Sequence, residues 1–292
     1  MLVVAGCRER SVAPDPASVT ALDAVALPGP DAVGWRQVEL GGEPVLLFYP
    51  ASGPGRAAHS PPSAPLSRRF GAAAAADLAA ARGPAGHDAE PQTGTYPLVL
   101  FAPGAGLGSR DYRWLLSGLA SRGMLVAGLD PATSPQASEG RVAEARDALL
   151  RVAKAAPSLA AFGRATRIHL VGHSIGGAAA VAALAGLPGA RAVDLDGDFL
   201  GVSNAPAAGP VLLVSGRNPN EPARAEARRT ADWQLVSNGR GQRVMLPDMR
   251  HLGATDAALL PAGRRNGDLG ADPAAQHKAM GEAVAAFLSE GG

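Results

Sequence analysis

Gly172-His173-Ser174-Ile175-Gly176 stands between an apolar run, Ile168-His169-Leu170-Val171, and an Ala-rich stretch from about Gly176 to Leu187. A glycine-flanked serine at such a junction constrains the fold more than any other feature. It needs a strand that ends at one edge of a sheet and a helix that starts directly from it. The flanking glycines are expected where a Cβ would strike the neighbouring strand or helix, and Gly177 extends the small-residue run. The helix beginning there points its first N–H groups toward the serine, which favours negative charge at that place.

Around this junction the chain alternates short apolar runs with helical stretches. Leu98–Phe101, Leu125–Leu129, Ile168–Val171, Ala192–Leu195, Val211–Val214 and Gln242–Leu246 read as strands. Helices are expected over about 110–121, 141–155, 176–187 and 273–289. This pattern predicts an α/β architecture, with a mostly parallel central sheet and helices on both faces. Trp35–Leu40 and Pro44–Tyr49, joined through Gly41-Gly42, add an antiparallel N-terminal edge hairpin. Residues 34–292 are expected to form one domain, interrupted at about 51–94 by a Pro/Ala-rich insertion with an Ala-rich helical stretch near 71–81. Residues 1–33, rich in Pro, Ala and Asp, read as an extended lead-in or tether.

A serine hydroxyl becomes a nucleophile when a base takes its proton, and the base must be held by a carboxylate. Of the six histidines, His59 and His87 fall in the insertion, His169 lies inside a strand, His173 is the variable residue of the serine motif, and His277 is on the closing helix, where a surface position is expected. His251 remains, in the loop after the last strand, and gives the chain order serine, acid, histidine. For the acid, the segment after Val211–Val214 contains no Asp, whereas the preceding strand runs into Asp194-Leu195-Asp196-Gly197-Asp198. Alternation places Asp194 and Asp196 on the same side, and only Asp196, at the carboxyl end, is expected to reach Ser174. Asp198 and Glu221 stay open as alternatives, each with an ordinary reading as a solvated carboxylate or cap. The developing oxyanion needs two N–H donors, expected from Ile175 and from Ala105 in the Gly-rich loop Pro103-Gly104-Ala105-Gly106.

Composition narrows the partner. A formal net charge of +1, no long basic run and 4% aromatic residues argue against nucleic acid or an anionic membrane surface and toward a small, largely uncharged or lipid-like molecule. This chemistry requires no metal and no organic cofactor. The single cysteine, Cys7, excludes an internal disulfide and a cysteine-based zinc site.

Three stretches, Tyr96 to Gly106 with Tyr112 and Leu119–Gly123, then Gly172 to Gly177, then Asp194 to Gly197, resemble the platelet-activating factor acetylhydrolase-like branch of the α/β hydrolases, which adjoins the dienelactone hydrolases and bacterial polyester hydrolases. The resemblance extends over about residues 35–290. It implies an α/β-hydrolase fold, an acid after the strand that follows the serine helix, as Asp196 is, and a base in a loop resembling Met249-Arg250-His251-Leu252-Gly253. The family carries His-Gly where this chain has Pro103-Gly104. A carboxylic ester hydrolase acting on short or medium acyl chains is the expected activity. Thioesterase, amidase or polyester depolymerase chemistry on the same scaffold is the first alternative, and a non-catalytic binding protein of the same fold is the second.

The opening Met1 to Cys7 resembles the end of a bacterial lipoprotein signal, although it lacks the charged leader and apolar stretch of a secretory signal. On that reading Cys7 bears a lipid anchor and the protein sits at the cell envelope or periplasm. Read as an ordinary apolar start, the same segment implies a cytoplasmic protein. Oligomeric state is not legible in the sequence.

Overall fold

Alternating side chains along the parallel strands enter two different cores. In the computed structural model, which describes residues 12–57, 59, 62–130, 136–202, 204–216, 222–265 and 267–290, the strands are β1 (Ala32–Leu40), β2 (Glu43–Ala51), β3 (Gly86–His87), β4 (Thr95–Ala102), β5 (Leu125–Leu129), β6 (Arg164–His173), β7 (Ala192–Leu195), β8 (Val211–Gly216) and β9 (Gln242–Leu246). The helices are α1 (Pro16–Asp23), α2 (Ala64–Ala80), α3 (Arg113–Ala120), α4 (Glu139–Lys154), α5 (Ile175–Ala183), α6 (Ala223–Ser237) and α7 (Pro273–Ser289). On β4, Val99 and Phe101 pack with Leu116 of α3 and Val284 of α7, while Leu98 and Leu100 pack with Leu149 of α4 and Ala179 of α5. Strands buried on both faces explain the near-continuous apolar runs.

The sheet has nine strands in the order β3-β1-β2-β5-β4-β6-β7-β8-β9. From β5 to β9 all neighbours are parallel, and β2 pairs antiparallel with both β1 and β5. The hairpin turns through Gly41 and Gly42 at φ 65° and 80°, the two positive angles that a two-residue turn of matching twist demands. A two-residue strand, β3, lies outside it and pairs parallel with β1.

Two expectations are corrected. Residues 16–23 are helical rather than extended: Asp15 caps α1, accepting the Ala17 N–H at 3.0 Å, and Leu22 is fully buried against α2 and its surroundings. The Ala-rich stretch after Gly71 is helical as far as Ala80, as expected, but a further helical segment precedes it from Ala64, where Ser63 caps it and Pro65 occupies the first turn. Gly71 kinks it at φ 85°, ψ 167°, a region essentially reserved for glycine. α6 has no counterpart in the sequence reading; of its fifteen residues only Val236 is buried, so its apolar signal is weak. No helix among the described residues is long and apolar enough to cross a membrane. Cys7 and Glu221 lie outside the described residues.

Candidate active site

The first parallel strands deliver their side chains to one edge of the sheet, and there the sequence makes two sharp departures. Ser174 follows β6 at φ 57°, ψ −122°, and α5 starts at the next residue. Its N–H continues the ladder to Leu195 O at 2.9 Å, and its carbonyl accepts the Gly177 N–H at 2.9 Å. The glycines are needed sterically. A Cβ on Gly172 would lie 2.0 Å from the Gly176 carbonyl oxygen, and one on Gly176 would lie 2.1 Å from the Ala102 carbonyl oxygen.

Asp196 follows β7 in the same manner, at φ 53°, with its N–H on Val214 O at 2.8 Å. Its carboxylate accepts the Gly216 N–H on Oδ1 at 2.9 Å and meets His251 Nδ1 through Oδ2 at 2.9 Å. Burial pushes this carboxyl up, but the hydrogen bond and charge of His251, helped by the Gly216 N–H, outweigh it and hold Asp196 at about 2. Arg229 of α6 stands behind it, 4.0 Å from Oδ1. Asp196 is therefore ionised at neutral pH and fixes the imidazole so that Nε2 is the nitrogen left to take a proton.

The alternatives are placed elsewhere. Asp198 is exposed and pairs with Arg229 at 3.3 Å, while the carboxylate that meets the His251 imidazole is that of Asp196. Asp194 is fully buried, accepts the Gly197 N–H at 2.9 Å, and is pushed up by burial and by neighbouring Asp196. The two carboxyls do not share a surface, because the chain leaves the strand at Leu195 and turns Asp196 out at a positive φ.

Ser174, Asp196 and His251 line one cavity of about 610 Å³, together with Gly104, Ala105 and Ile175. Among the described residues no hydrogen bond reaches the Ser174 hydroxyl, and serine and imidazole line the same cavity. Catalytic hydrogen bonds of this kind are commonly open until substrate binds. The backbone N–H groups of Ala105 and Ile175 are likewise uncommitted among the described residues, whereas the Gly104 N–H is spent on Tyr112 Oη at 3.2 Å. Pro65, Leu66 and Arg69 of α2 form another wall. The insertion thus contributes to the site, a role its composition did not announce.

Two histidines differ from their sequence reading. His277 is buried rather than on the surface, and burial lowers it to about 4. His173, passed over as a variable position, is completely buried with its ring 4.6 Å from that of His251.

Comparison with curated proteins finds no match. Among solved structures the chain is similar to ferulic acid esterase from Streptomyces cinnamoneus, with a TM-score of 0.69, 24% identity and 91% of each chain covered. At that identity the likeness speaks for the fold alone. The model of the alpha/beta hydrolase family matches residues 99–288, a span that holds Ser174, Asp196 and His251, and the chain belongs to that family.

Proposed function

We propose that this protein is a serine hydrolase of carboxylic esters with short or medium acyl chains, working through Ser174, His251 and Asp196. The observation that carries the reading is the 2.9 Å contact between His251 and an Asp196 held ionised, in a cavity that also presents Ser174 at a strained strand-to-helix turn. In the proposed cycle Ser174 Oγ adds to the ester carbonyl while His251 Nε2 takes its proton. The oxyanion rests on the Ala105 and Ile175 N–H groups, and the proton passes to the departing alcohol. Water, deprotonated by the same imidazole, then releases the acid from the acyl-serine. The resemblance of three stretches to the platelet-activating factor acetylhydrolase-like branch and the name of the ferulic acid esterase neighbour both favour an ester over an amide.

A binding protein that keeps the fold without turnover is the one rival, favoured by the absence of a Ser174–His251 hydrogen bond among the described residues. Hydrolysis of p-nitrophenyl acetate, butyrate and octanoate by the wild type and Ser174→Ala separates the two. Turnover lost in the variant supports the esterase, and a folded wild type that turns over none of the three supports the rival.

A further inference from the structure

His173 and Tyr112 take no part in the proton transfers above, yet both are fully buried between the two halves of the site. Their hydrogen bonds have only one consistent direction. His173 Nε2 lies 2.8 Å from the backbone carbonyl of His251, and a carbonyl only accepts, so Nε2 carries the proton. In the neutral ring Nδ1 is then an acceptor, and Tyr112 Oη, 2.7 Å away, must donate to it. The lone pairs of Tyr112 Oη remain, and the Gly104 N–H donates to them at 3.2 Å. An unbroken chain of donors therefore runs from Gly104 through Tyr112 and His173 to the His251 carbonyl.

Protonation does not disturb this chain near neutral pH. Burial, reinforced by the neighbouring His251 and only partly offset by Asp196, lowers His173 to about 3, and burial raises the Tyr112 hydroxyl well above its ordinary value. Space is equally committed: a Cβ on Gly104 would lie 2.8 Å from His173 Nδ1. The chain joins two loops that the sheet leaves far apart. Gly104 and Ala105 follow β4 and His251 follows β9, with β6, β7 and β8 between them.

We infer that His173 and Tyr112 are positioning residues, a buried strut that holds the loop of Ala105 and the loop of His251 at one spacing so that oxyanion donor and general base address the same carbonyl. The inference rests on the serine-hydrolase reading. Loss of the strut lets the loops shift relative to each other, and such misplacement lowers kcat far more than it weakens substrate binding.

The test compares wild type, Tyr112→Phe, His173→Leu and His173→Gln on p-nitrophenyl butyrate, with kcat expressed per serine titrated by a fluorophosphonate. The 15N imidazole spectrum of the wild type is recorded alongside. Tyr112→Phe and His173→Leu are expected to lower kcat per titrated site about tenfold to hundredfold, with KM changed less than about threefold. His173→Gln, which offers an N–H to the His251 carbonyl and an oxygen to Tyr112, is expected to recover most of the loss. The spectrum should show His173 protonated at Nε2 alone from about pH 8 to about pH 4. A role confined to folding would reduce the titrated fraction and leave kcat per site unchanged, and that result overturns the strut. So does an Nδ1-protonated His173 in the wild type, a reading that holds even if a variant fails to fold. A wild type that neither labels nor turns over overturns the esterase reading and the strut with it, whereas active, labelled variants at wild-type kcat overturn the strut alone.

Discussion

Ser174 and Asp196 are placed by the backbone of the sheet, His251 by side chains. The first two sit just past adjacent parallel strands, at φ 57° and 53°, and the N–H of each is still bonded to the next strand, at 2.9 and 2.8 Å. Moving either means opening the central ladder. His251 instead begins a run of short 3₁₀ turns over 251–254, 256–259, 262–264 and 267–269, and half of its side-chain surface, 52%, is exposed. Ala254, Ala257, Leu260 and Leu269 bury that run in the core beside α3 and α7, and polar contacts fix its register. Asp196 takes the imidazole, His173 takes the backbone carbonyl, and buried Asp256 accepts the N–H groups of Arg113 and Trp114 at 3.0 and 3.2 Å and pairs with the Arg113 guanidinium at 3.3 Å. Ser174 and Asp196 therefore inherit their positions from backbone hydrogen bonds of the sheet, while His251 depends on side-chain packing and on a few charged and hydrogen-bonded contacts. Damage to the two parts should look different.

The largest effect is expected at the strand end. Ser174→Ala should lower kcat on p-nitrophenyl butyrate at least about ten-thousand-fold with unfolding unchanged, because only one oxygen leaves a half-buried turn. Retained activity would break the assignment of the rigid half. Asp196→Asn, nearly as large, should cost about a thousandfold to ten-thousand-fold in kcat, since an amide favours the wrong imidazole tautomer.

The same substitution separates the two parts by pH. The folded Asp196 is held at about 2, below the unfolded carboxyl at about 3.9, so the unfolded chain binds more protons between those values. The stabilisation is complete above about pH 4 and is lost as the pH falls through about 2, amounting to about 2 to 3 kcal/mol. Denaturant unfolding of wild type and Asp196→Asn should therefore converge by about that amount between about pH 5 and about pH 2. A constant gap would contradict the ionised pairing.

In the side-chain-held half, Asp256→Ala leaves a buried Arg113 without its carboxylate. It should cost about 3 to 5 kcal/mol in denaturant unfolding, because removing one partner of a buried pair strands the other charge. If the comparison is right, the surviving folded fraction should also lose kcat, as the His251 run is released. The smallest effect is expected at Ser63→Ala, which removes the cap of α2 and should cost about 1 kcal/mol while leaving kcat on p-nitrophenyl acetate unchanged.

Legibility in the sequence follows the same division. β5, β7, β9 and α7 have the bounds their apolar patterns indicate, and Ser174, Asp196 and His251 come to one cavity, because strand ends and glycine-flanked turns are local signals. Alternation alone was an incomplete guide to Asp196: it grouped Asp194 with it, whereas the positive φ after Leu195 separates them. Interactions made across long stretches of chain left no local mark. His173 meets Tyr112 61 residues away and His251 78 residues away, so nothing beside it in sequence reveals its role. α6 is illegible because almost no apolar face distinguishes it, and α1 because its eight residues stand among prolines and only Ser18 and Leu22 are buried.

The central claim is that an ester passes its acyl group to Ser174, and rapid quenching of p-nitrophenyl acetate turnover followed by peptide mass mapping tests it most directly. The account predicts a burst of p-nitrophenol with one acetyl group on the peptide containing Ser174, absent in Ser174→Ala. Steady turnover with the acetyl group on another residue, or with none trapped and Ser174→Ala fully active, would contradict it.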